Sequence, residues 1–243
     1  DNIVPALGVE DVIRMVFSSV IETGDTVLLN RSQNPADEKH CIISGGEVNY
    51  VCEENLRNIS SGLLKKAKII LLTNPDNLFG HLYSKTDLIS LLQRCNDHST
   101  LLVVDESLID FTAESVTMVG EVSHDTNLLV IRSLEDTFSL PGAGIAFGIT
   151  NEKFAAILNR VRNRFNLGLL EEATALSLLD MQEELINTYL PASRQFVREN
   201  RSYLVERLSK VRKFKTHESN TSFVLVDISA ASLDSVELTH RLD

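Results

Sequence analysis

The sequence contains no tryptophan, only three cysteines, and few aromatic residues, which make up 6% of its 243 positions. Cys41, Cys52 and Cys95 are odd in number and lack CxxC spacing, which argues against a disulfide framework or a cysteine-ligated zinc site. No apolar run approaches the roughly 20 residues that a membrane-spanning helix requires. Since no secretory signal is visible either, we expect no membrane association and take a cytoplasmic location as the default.

Positive charge is also scarce. The chain has 23 lysines and arginines against 34 aspartates and glutamates, a formal net charge of −11, which disfavours nucleic acid or an anionic membrane as partner. Two basic stretches, residues 160–164 and 210–215, lie in helical contexts flanked by acids, and we interpret them as solvated helix faces. The six histidines are scattered without metal-ligand spacing, so no metal site is predicted.

What the sequence does contain is an alternation of apolar runs and amphipathic segments. Residues 9–23 carry apolar side chains at helical spacing, and an apolar run at 26–29 follows. A further helix is predicted at Ser84–Arg94, with Ser84 as N-cap. Other predicted strands are Val48–Cys52, Lys68–Thr73, Thr100–Asp105, Asn127–Arg132 and Gly144–Ile149. Their apolar residues are consecutive, as expected when helices cover both faces of a sheet, so we predict a three-layer α/β/α domain with a mostly parallel sheet.

Beyond Asn151 the pattern becomes mainly helical. We predict a helix over residues 153–163 and a long helical region over 170–211, which Pro191 must kink or divide. Short strands near 214–216 and 222–227 and a helix start at Asp234 follow. This organisation predicts a large domain with a linker helix over residues 1–211 and the beginning of a small α+β domain over residues 212–243.

Three segments place polar residues at the carboxyl ends of predicted strands, where open α/β sheets bind ligands. They are the loop Asn74–Gly80, the segment Asp105–Phe111, and the segment Arg132–Gly142. In order and spacing they resemble the large domain of pyridoxal-phosphate (PLP) enzymes of the aspartate-aminotransferase fold type. The similarity is greatest to histidinol-phosphate aminotransferases and threonine-phosphate decarboxylases, and it extends over nearly the whole chain.

The resemblance implies cofactor-binding positions that the chain retains. Gly8 matches the turn at the start of a helix that holds the cofactor phosphate, and Ser133 is a further matching position. Asn77 matches the asparagine that bonds the phenolic oxygen, and Asp105 matches the aspartate that pairs with the pyridine nitrogen. Val9 replaces the family's hydroxyl residue, and the acids after it are also explained as an ordinary helix start.

Other positions depart from the family. Asp136 stands where the family has the lysine that forms a Schiff base with PLP, and a carboxylate cannot form that bond. Glu135 replaces a serine, Gly144 replaces the arginine for the phosphate, and Leu108 replaces a tyrosine that bonds the phenolic oxygen. In the family, an aromatic residue in the region that matches residues 31–35 stacks on the cofactor ring. This chain has no aromatic residue there, and Gln33 stands at the matching position.

The resemblance also implies a substrate-binding segment and a partner. Arg162 and Asn166 match a family segment near the substrate, although a basic helix face explains the arginine equally well. Because family sites form between two subunits, we expect a homodimer or pairing with a related subunit.

Three hypotheses for function follow. We favour a catalytically degenerate aminotransferase-like domain with a structural, regulatory or dimerisation role. In this hypothesis PLP is bound without a covalent bond or is not bound at all. The second is an active PLP-dependent aminotransferase of the histidinol-phosphate type that uses an unusual lysine, such as Lys39, Lys85 or Lys153, since none lies between the last two. The third is an α/β domain that binds another small molecule at the same cleft.

Overall fold

A seven-stranded sheet organises the first 150 residues of the computed structural model, which describes residues 2–31, 34–51, 53–112, 116–232 and 234–242. Its strands are β1 Ile3–Leu7, β2 Thr26–Asn30, β3 Glu47–Val51, β4 Ala67–Thr73, β5 Leu101–Asp105, β6 Leu128–Ser133 and β7 Ile145–Thr150. Their spatial order is β1-β7-β6-β5-β4-β2-β3. Only β7 runs antiparallel to its neighbours, so the carboxyl ends of the other strands lie at one edge.

Helices cover both faces of this sheet. They are α1 Gly8–Val20, α2 Pro35–Ile43, α3 Ser61–Leu64, α4 Lys85–Asp97 and α5 Glu152–Val161. In β4 the side chains of Ile69 and Leu71 join a core that includes residues of α1 and α5, whereas Ile70 and Leu72 join a core that includes residues of α3 and α4. Alternate strand residues point to opposite faces, so the consecutive apolar residues of β4 serve both cores. This confirms the predicted three-layer architecture.

The predicted elements of the sheet agree with the structure to within a few residues, but three elements and one direction were not predicted. The sequence analysis missed β1, because Pro5 interrupts its apolar pattern. A proline is tolerated there since β1 lies at the edge of the sheet and pairs with β7 alone. The helices α2 and α3 were not predicted either, nor was the antiparallel direction of β7.

Beyond β7 the chain is mainly helical, as predicted. It forms α6 Leu169–Asp180, α7 Gln182–Glu184, a π-helical turn at Leu185–Tyr189, α8 Leu190–Ser209 and, after a two-stranded sheet of β8 Lys215–Thr216 and β9 Val226–Asp227, α9 Ser235–Leu242. Pro191 lies in the first turn of α8, and the π-helical turn just before it already has helical backbone angles, so Pro191 does not break the helix. The region is therefore divided before Pro191, at Met181 and the π turn.

The C-terminal segment packs against the loop that follows β4. The backbone N–H and side-chain Nδ2 of Asn220 donate to the carbonyl oxygen of Gly80 at 2.9 and 3.1 Å, and the rings of Phe79 and His217 meet edge to face at 5.4 Å. The strand predicted at 222–227 was too long, since only its last two residues pair in β9. The domain boundary at residues 211 and 212 stays a prediction.

Candidate functional site

A cavity of about 160 Å³ opens at the sheet edge where β1, β2, β4, β5 and β6 end. It is lined by Val9, Glu10, Ile13, Asn34, Asp37, Asn77, Asp105, Ser107, Ser133, Glu135 and Asp136. The fold thus brings together five of the residues that the sequence predicted for a cofactor site, namely Val9, Asn77, Asp105, Ser133 and Asp136. Among the described residues that line this cavity, five carry carboxyl groups and none is basic.

Asp105 is one of the two most buried of these carboxyl groups, at 3% exposure against 2% for Asp37. It ends β5, and its Oδ1 accepts a hydrogen bond from the backbone N–H of Ser107 at 2.9 Å. Burial raises the pKa of Asp105 to about 6, against the opposing effect of the bonds from Ser107, and the negative charge of Asp136 raises it further. Near pH 6 the floor of the cavity therefore changes between a neutral and a charged carboxyl group.

Asp136 occupies the position predicted from the family lysine and lines the same cavity. Its pKa is raised, first by partial burial and then by the negative charge of Glu135. The neighbouring carboxyl groups therefore disfavour further negative charge at this point. A carboxyl side chain also offers no amine at the place where the resemblance requires one.

Glu135 is held by backbone amides on the far side of its own loop. Its Oε1 accepts hydrogen bonds from the N–H groups of Gly142 at 3.1 Å and Gly144 at 3.0 Å. The backbone N–H of Glu135 donates to the hydroxyl of Ser133 at 3.1 Å, and that hydroxyl in turn donates to the carbonyl of Ile145 at 3.4 Å. The Ser133 hydroxyl is thus engaged within the loop.

Gly8 begins α1 with a φ of +81°, a left-handed conformation that glycine adopts without strain. A methyl group on Gly8 would lie 3.6 Å from Oε2 of Glu135, so this carboxylate sits beside the start of the helix. Further acids lie in the first turn: Asp11 accepts from the backbone N–H of Leu7 at 3.2 Å, and Glu10 contacts His40 at 2.7 Å. These contacts fit the interpretation of residues 9–11 as a helix start with acids at the positive end of the dipole.

The loop after β4 is shaped by residues other than the one predicted to bind a ligand. Asp76 is fully buried and accepts from the backbone N–H groups of Leu78 at 2.9 Å, Phe79 at 2.7 Å and His81 at 2.7 Å. Asn77 is exposed and lines the cavity. Sequence reasoning missed this role of Asp76, although a loop of Asn, Pro, Asp and Gly residues is a common sign of such a turn.

Five other predicted residues do not line the cavity. Three of them, Leu108, Gly144 and Gly8, were predicted as cofactor-binding positions. Leu108 is buried at the start of a 3-10 turn over Ile109–Phe111. Gly144 has a φ of +60°, and a Cβ there would meet Cδ1 of Leu7 at 2.6 Å, so any side chain is strained and must displace Leu7. Both glycines therefore act through their backbone, Gly8 at the start of α1 and Gly144 as a donor to Glu135.

The two predicted substrate residues lie beside the sheet edge. Asn166 donates from Nδ2 to the carbonyl oxygen of Pro5 at 3.2 Å and to Asp11 at 3.3 Å, which fastens the segment after α5 to the start of α1. The backbone N–H of Arg162 ends α5 by donating to the carbonyl of Leu158 at 2.9 Å.

The structure describes only part of residues 31–35, where the family's stacking aromatic residue is missing from the sequence. Gln33 and Ser32 lie outside the described residues. Asn34 lines the cavity and caps α2, accepting from the N–H of Ala36 at 3.0 Å. Asp37, one turn further on, is 2% exposed and also lines the cavity. Sequence reasoning missed both residues, although asparagine before proline and then acids is a helix-start signal.

The cavity does not fit PLP as the resemblance would place it. No described lining residue offers an amine, the carboxylate of Glu135 lies beside Gly8 where a phosphate would be held, and four more carboxyl groups share the space. The ionised carboxyl groups among these residues would repel a phosphate dianion.

The described residues hold no candidate metal site and no helix suited to a membrane. No group of three or more His, Cys, Asp or Glu side chains there is placed to hold a metal ion. Within the same part of the chain, no helix combines the length and the apolar character needed to cross a bilayer.

Comparison with known proteins extends over the whole sheet and the helices after it. The family description "Aminotransferase class I and II" matches residues 1–242. A histidinol-phosphate aminotransferase of Ruminiclostridium cellulolyticum is 26% identical over 236 residues, which cover 94% of this chain and 63% of that protein. The chain therefore spans less than two thirds of the length of this relative.

Solved structures share the fold. The histidinol-phosphate aminotransferase of Sinorhizobium meliloti, crystallised with pyridoxal-5′-phosphate, superposes with a TM-score of 0.83 at 22% identity, covering 94% of this chain and 62% of that one. The L-threonine-O-3-phosphate decarboxylase of Porphyromonas gingivalis gives a TM-score of 0.82 at 20% identity, covering 93% of this chain and 66% of that one.

Proposed function

Because this chain belongs to the aminotransferase class I and II family, we propose that it is an aminotransferase-like domain that has lost PLP-dependent catalysis and keeps a structural, regulatory or dimerisation role. PLP is the cofactor expected for relatives of this family. The observation that carries the proposal is the pair Glu135 and Asp136 in the cavity, where carboxyl groups stand at the positions of a serine and a lysine. PLP chemistry begins from a Schiff base with an enzyme amine, which neither residue can supply.

Lysines elsewhere in the chain give little support to an active enzyme. Lys85 forms an ion pair with Glu121 at 3.0 Å. Lys153 lies in the first turn of α5, directly after β7, and because β7 is antiparallel this turn lies at the sheet edge opposite to Asp105. Lys39 is exposed on α2, the helix that also carries Asp37, and it is the best placed of the three.

Spectroscopy tests the loss of catalysis. Add PLP to the purified full-length protein, record absorbance from the near ultraviolet to the blue, reduce with borohydride and map the labelled lysine by mass spectrometry. We expect no stoichiometric band and only scattered, substoichiometric labelling of surface lysines. Stoichiometric labelling of one lysine would contradict the proposal.

Two lysine variants sharpen this test. Lys39→Ala removes the best-placed amine, and Lys153→Ala is the matched control at the opposite sheet edge. If the band of the wild type disappeared in Lys39→Ala but not in Lys153→Ala, the chain would be an active enzyme with an unusual lysine. A metabolite that raised the melting temperature while PLP did not would instead favour a different ligand in the cleft.

The dimerisation role rests on α6. None of its residues is buried, and apolar side chains point to all sides of the helix, with Leu169 at 85% exposure and Leu170 at 81%. A helix that is apolar on every side is normally covered on more than one. Phe165 and Ile186, before and after α6, are exposed as well. We take a second copy of the chain as the partner that covers this surface.

Sedimentation velocity of the full-length protein tests this partner. We expect a dimer for the wild type and a monomer for Leu176→Glu/Leu179→Glu, while Val236→Glu, an exposed apolar position on α9, leaves the dimer intact. A wild type that is monomeric across a wide concentration range would contradict a dimer. A double variant that stays dimeric but loses stability would show that the same chain covers α6.

A further inference from the structure

The carboxylate of Glu135 occupies a place that suits a bound anion. Three glycines surround it, Gly8 at the start of α1 and Gly142 and Gly144 at the end of the 135–144 loop, and we call them the glycine site. Two of their backbone N–H groups, at 142 and 144, donate to the same oxygen, Oε1. The other oxygen, Oε2, lies beside Gly8: a methyl group placed on Gly8 would be 3.6 Å from it.

The chemistry of the glycine site is that of an anion site. Converging backbone N–H groups and the start of a helix both favour negative charge. All three glycines have positive φ, +81°, +86° and +60°, which lets the backbone approach the carboxylate without a Cβ in between. The charge that satisfies these groups is supplied by the chain itself, through a side chain seven and nine residues before its two donors.

We propose that Glu135 is an internal anion that fills the glycine site and so excludes phosphate and other oxyanions from it. This goes beyond the missing lysine, because a lysine at residue 136 would leave the carboxylate in place. Anions are excluded because the side chain of Glu135 occupies the glycine site, as well as because the cavity as a whole is negatively charged. Asp136 and Glu10 contribute to that charge but have no hydrogen bond to Gly142 or Gly144 among the described residues.

Phosphate binding by three variants separates occupancy from charge. Glu135→Ala empties the glycine site, whereas Glu135→Gln removes the charge but keeps an oxygen that can accept from Gly142 and Gly144. Asp136→Ala is the matched control, since it removes a neighbouring charge and leaves Glu135 in place. The readout is the affinity for inorganic phosphate by isothermal titration at constant ionic strength.

Occupancy predicts that Glu135→Ala binds phosphate about tenfold or more tightly than the wild type, the gain expected from two charge-assisted bonds. Glu135→Gln and Asp136→Ala should bind as weakly as the wild type. An equal gain in Asp136→Ala and Glu135→Ala would overturn the proposal in favour of simple charge repulsion. No gain in Glu135→Ala would overturn it as well.

A second measurement does not depend on the alanine variant folding. The chain has 11 glycines, so a protein labelled with ¹⁵N-glycine gives a simple amide spectrum. Amide protons that donate to a carboxylate should move upfield for Gly142 and Gly144 when Glu135 becomes glutamine, while Gly62 and Gly120 serve as internal references. Unchanged positions for Gly142 and Gly144 would refute the contact. Neither measurement contains PLP, so its result is independent of whether the protein forms a Schiff base.

Discussion

Two buried acids at the end of β5 differ in how the fold satisfies them. Asp105 lines the cavity and receives its bonds from Ser107. Glu106 points away from the cavity residues and accepts from the hydroxyl of Thr117 at 2.5 Å and the backbone N–H of Met118 at 2.6 Å. Burial raises the pKa of both acids. The last residue of β5 and the residue after it therefore divide between the candidate site and the structural core.

Asp105→Asn should stabilise the protein above pH 6. Below about pH 3 the carboxyl is mostly protonated in both the folded and unfolded chain, so its ionisation does not affect stability. As the pH rises from the usual pKa of 3.8 to the folded value of about 6, the unfolded chain ionises first and the wild type loses stability. Each pKa unit corresponds to about 1.4 kcal/mol, so the variant gains up to roughly 3 kcal/mol at neutral pH.

Urea unfolding between pH 4 and pH 8 measures this difference. The control is Asp125→Asn, which removes one negative charge at a side chain that is 93% exposed. If Asp105→Asn gave the same constant offset from the wild type at every pH, or no offset, the raised pKa would be disproved.

Arg132→Met should destabilise the chain by about 2 kcal/mol. The guanidinium of Arg132 donates to Asp110 at 2.7 Å and lies 3.9 Å from Glu106, which is completely buried. Asp110 also receives a bond from Thr137 at 3.2 Å and lies 3.6 Å from Arg194 of α8. Removing Arg132 leaves two acids close together with less compensating charge.

The matched control is Arg57→Met. Arg57 pairs with Asp87 at the surface, with 68% of its side chain exposed, and exposed pairs contribute less than about 1 kcal/mol. Both free energies of unfolding come from urea titration. Equal losses in the two variants would mean that the Arg132 network adds nothing beyond a surface pair.

At the level of elements, side-chain caps determine where the helices that flank the sheet begin. Ser84 accepts from the backbone N–H of Asp87 at 3.1 Å and begins α4. Asn151 accepts from the N–H of Phe154 at 2.9 Å and begins α5. By contrast, α1 follows Leu7 without a side-chain cap. The acids of its first turn, Glu10 and Asp11, instead interact with the positive end of the helix dipole. These two starts were readable from sequence, because cap residues act locally, whereas the cap of α2 at Asn34 was missed.

Asn151 also fastens α5 to the sheet, since its Nδ2 donates to the carbonyl of Thr126 at 3.1 Å. Asn151→Ala removes both bonds and should cost about 2 kcal/mol, whereas Asn151→Ser keeps the cap and should cost about 1 kcal/mol. Thermal unfolding of both variants gives the comparison. If serine were as destabilising as alanine, the cap would contribute nothing and the whole effect would belong to Thr126.

At the scale of the whole molecule, burial is uneven along the chain. The central strands β4 and β5 are almost fully buried, whereas α6, α7 and α8 contain no buried residue. The N-terminal part thus holds the two cores, and the helices after α5 lie outside them. Segments with few buried contacts open at lower free energy than the core.

Hydrogen exchange should reveal this difference directly. In dilute protein we expect amides of α6 to exchange on the order of a hundredfold faster than those of β4 and β5. Raising the protein concentration should slow α6 if a second copy covers it, with α4 as the internal control because Leu88 and Leu91 are already buried. Exchange in α6 as slow as in α4 at the lowest concentration would contradict both expectations.

Much of the fold could be predicted from the sequence, and less of the site. Consecutive apolar residues in β4 and the cap at Ser84 are local signals, and they identified the layers of the domain. Pro5 concealed β1, because an edge strand tolerates a residue that breaks the usual pattern. Asp76 and Asp37 were missed because their turn and helix-start signals are local, whereas the burial of their side chains is not specified by any local pattern.

The sequence by itself determined the alternation of strands and helices, the family resemblance, and the absence of an amine at residue 136, because these depend on residue identity and short-range spacing. The tertiary structure alone decided what fills the space around that residue. It placed β7 antiparallel, gathered five carboxyl groups around one cavity, and set the carboxylate of Glu135 on the amides of Gly142 and Gly144. The physical reason is that hydrogen bonds and burial between distant residues depend on the folded path of the chain.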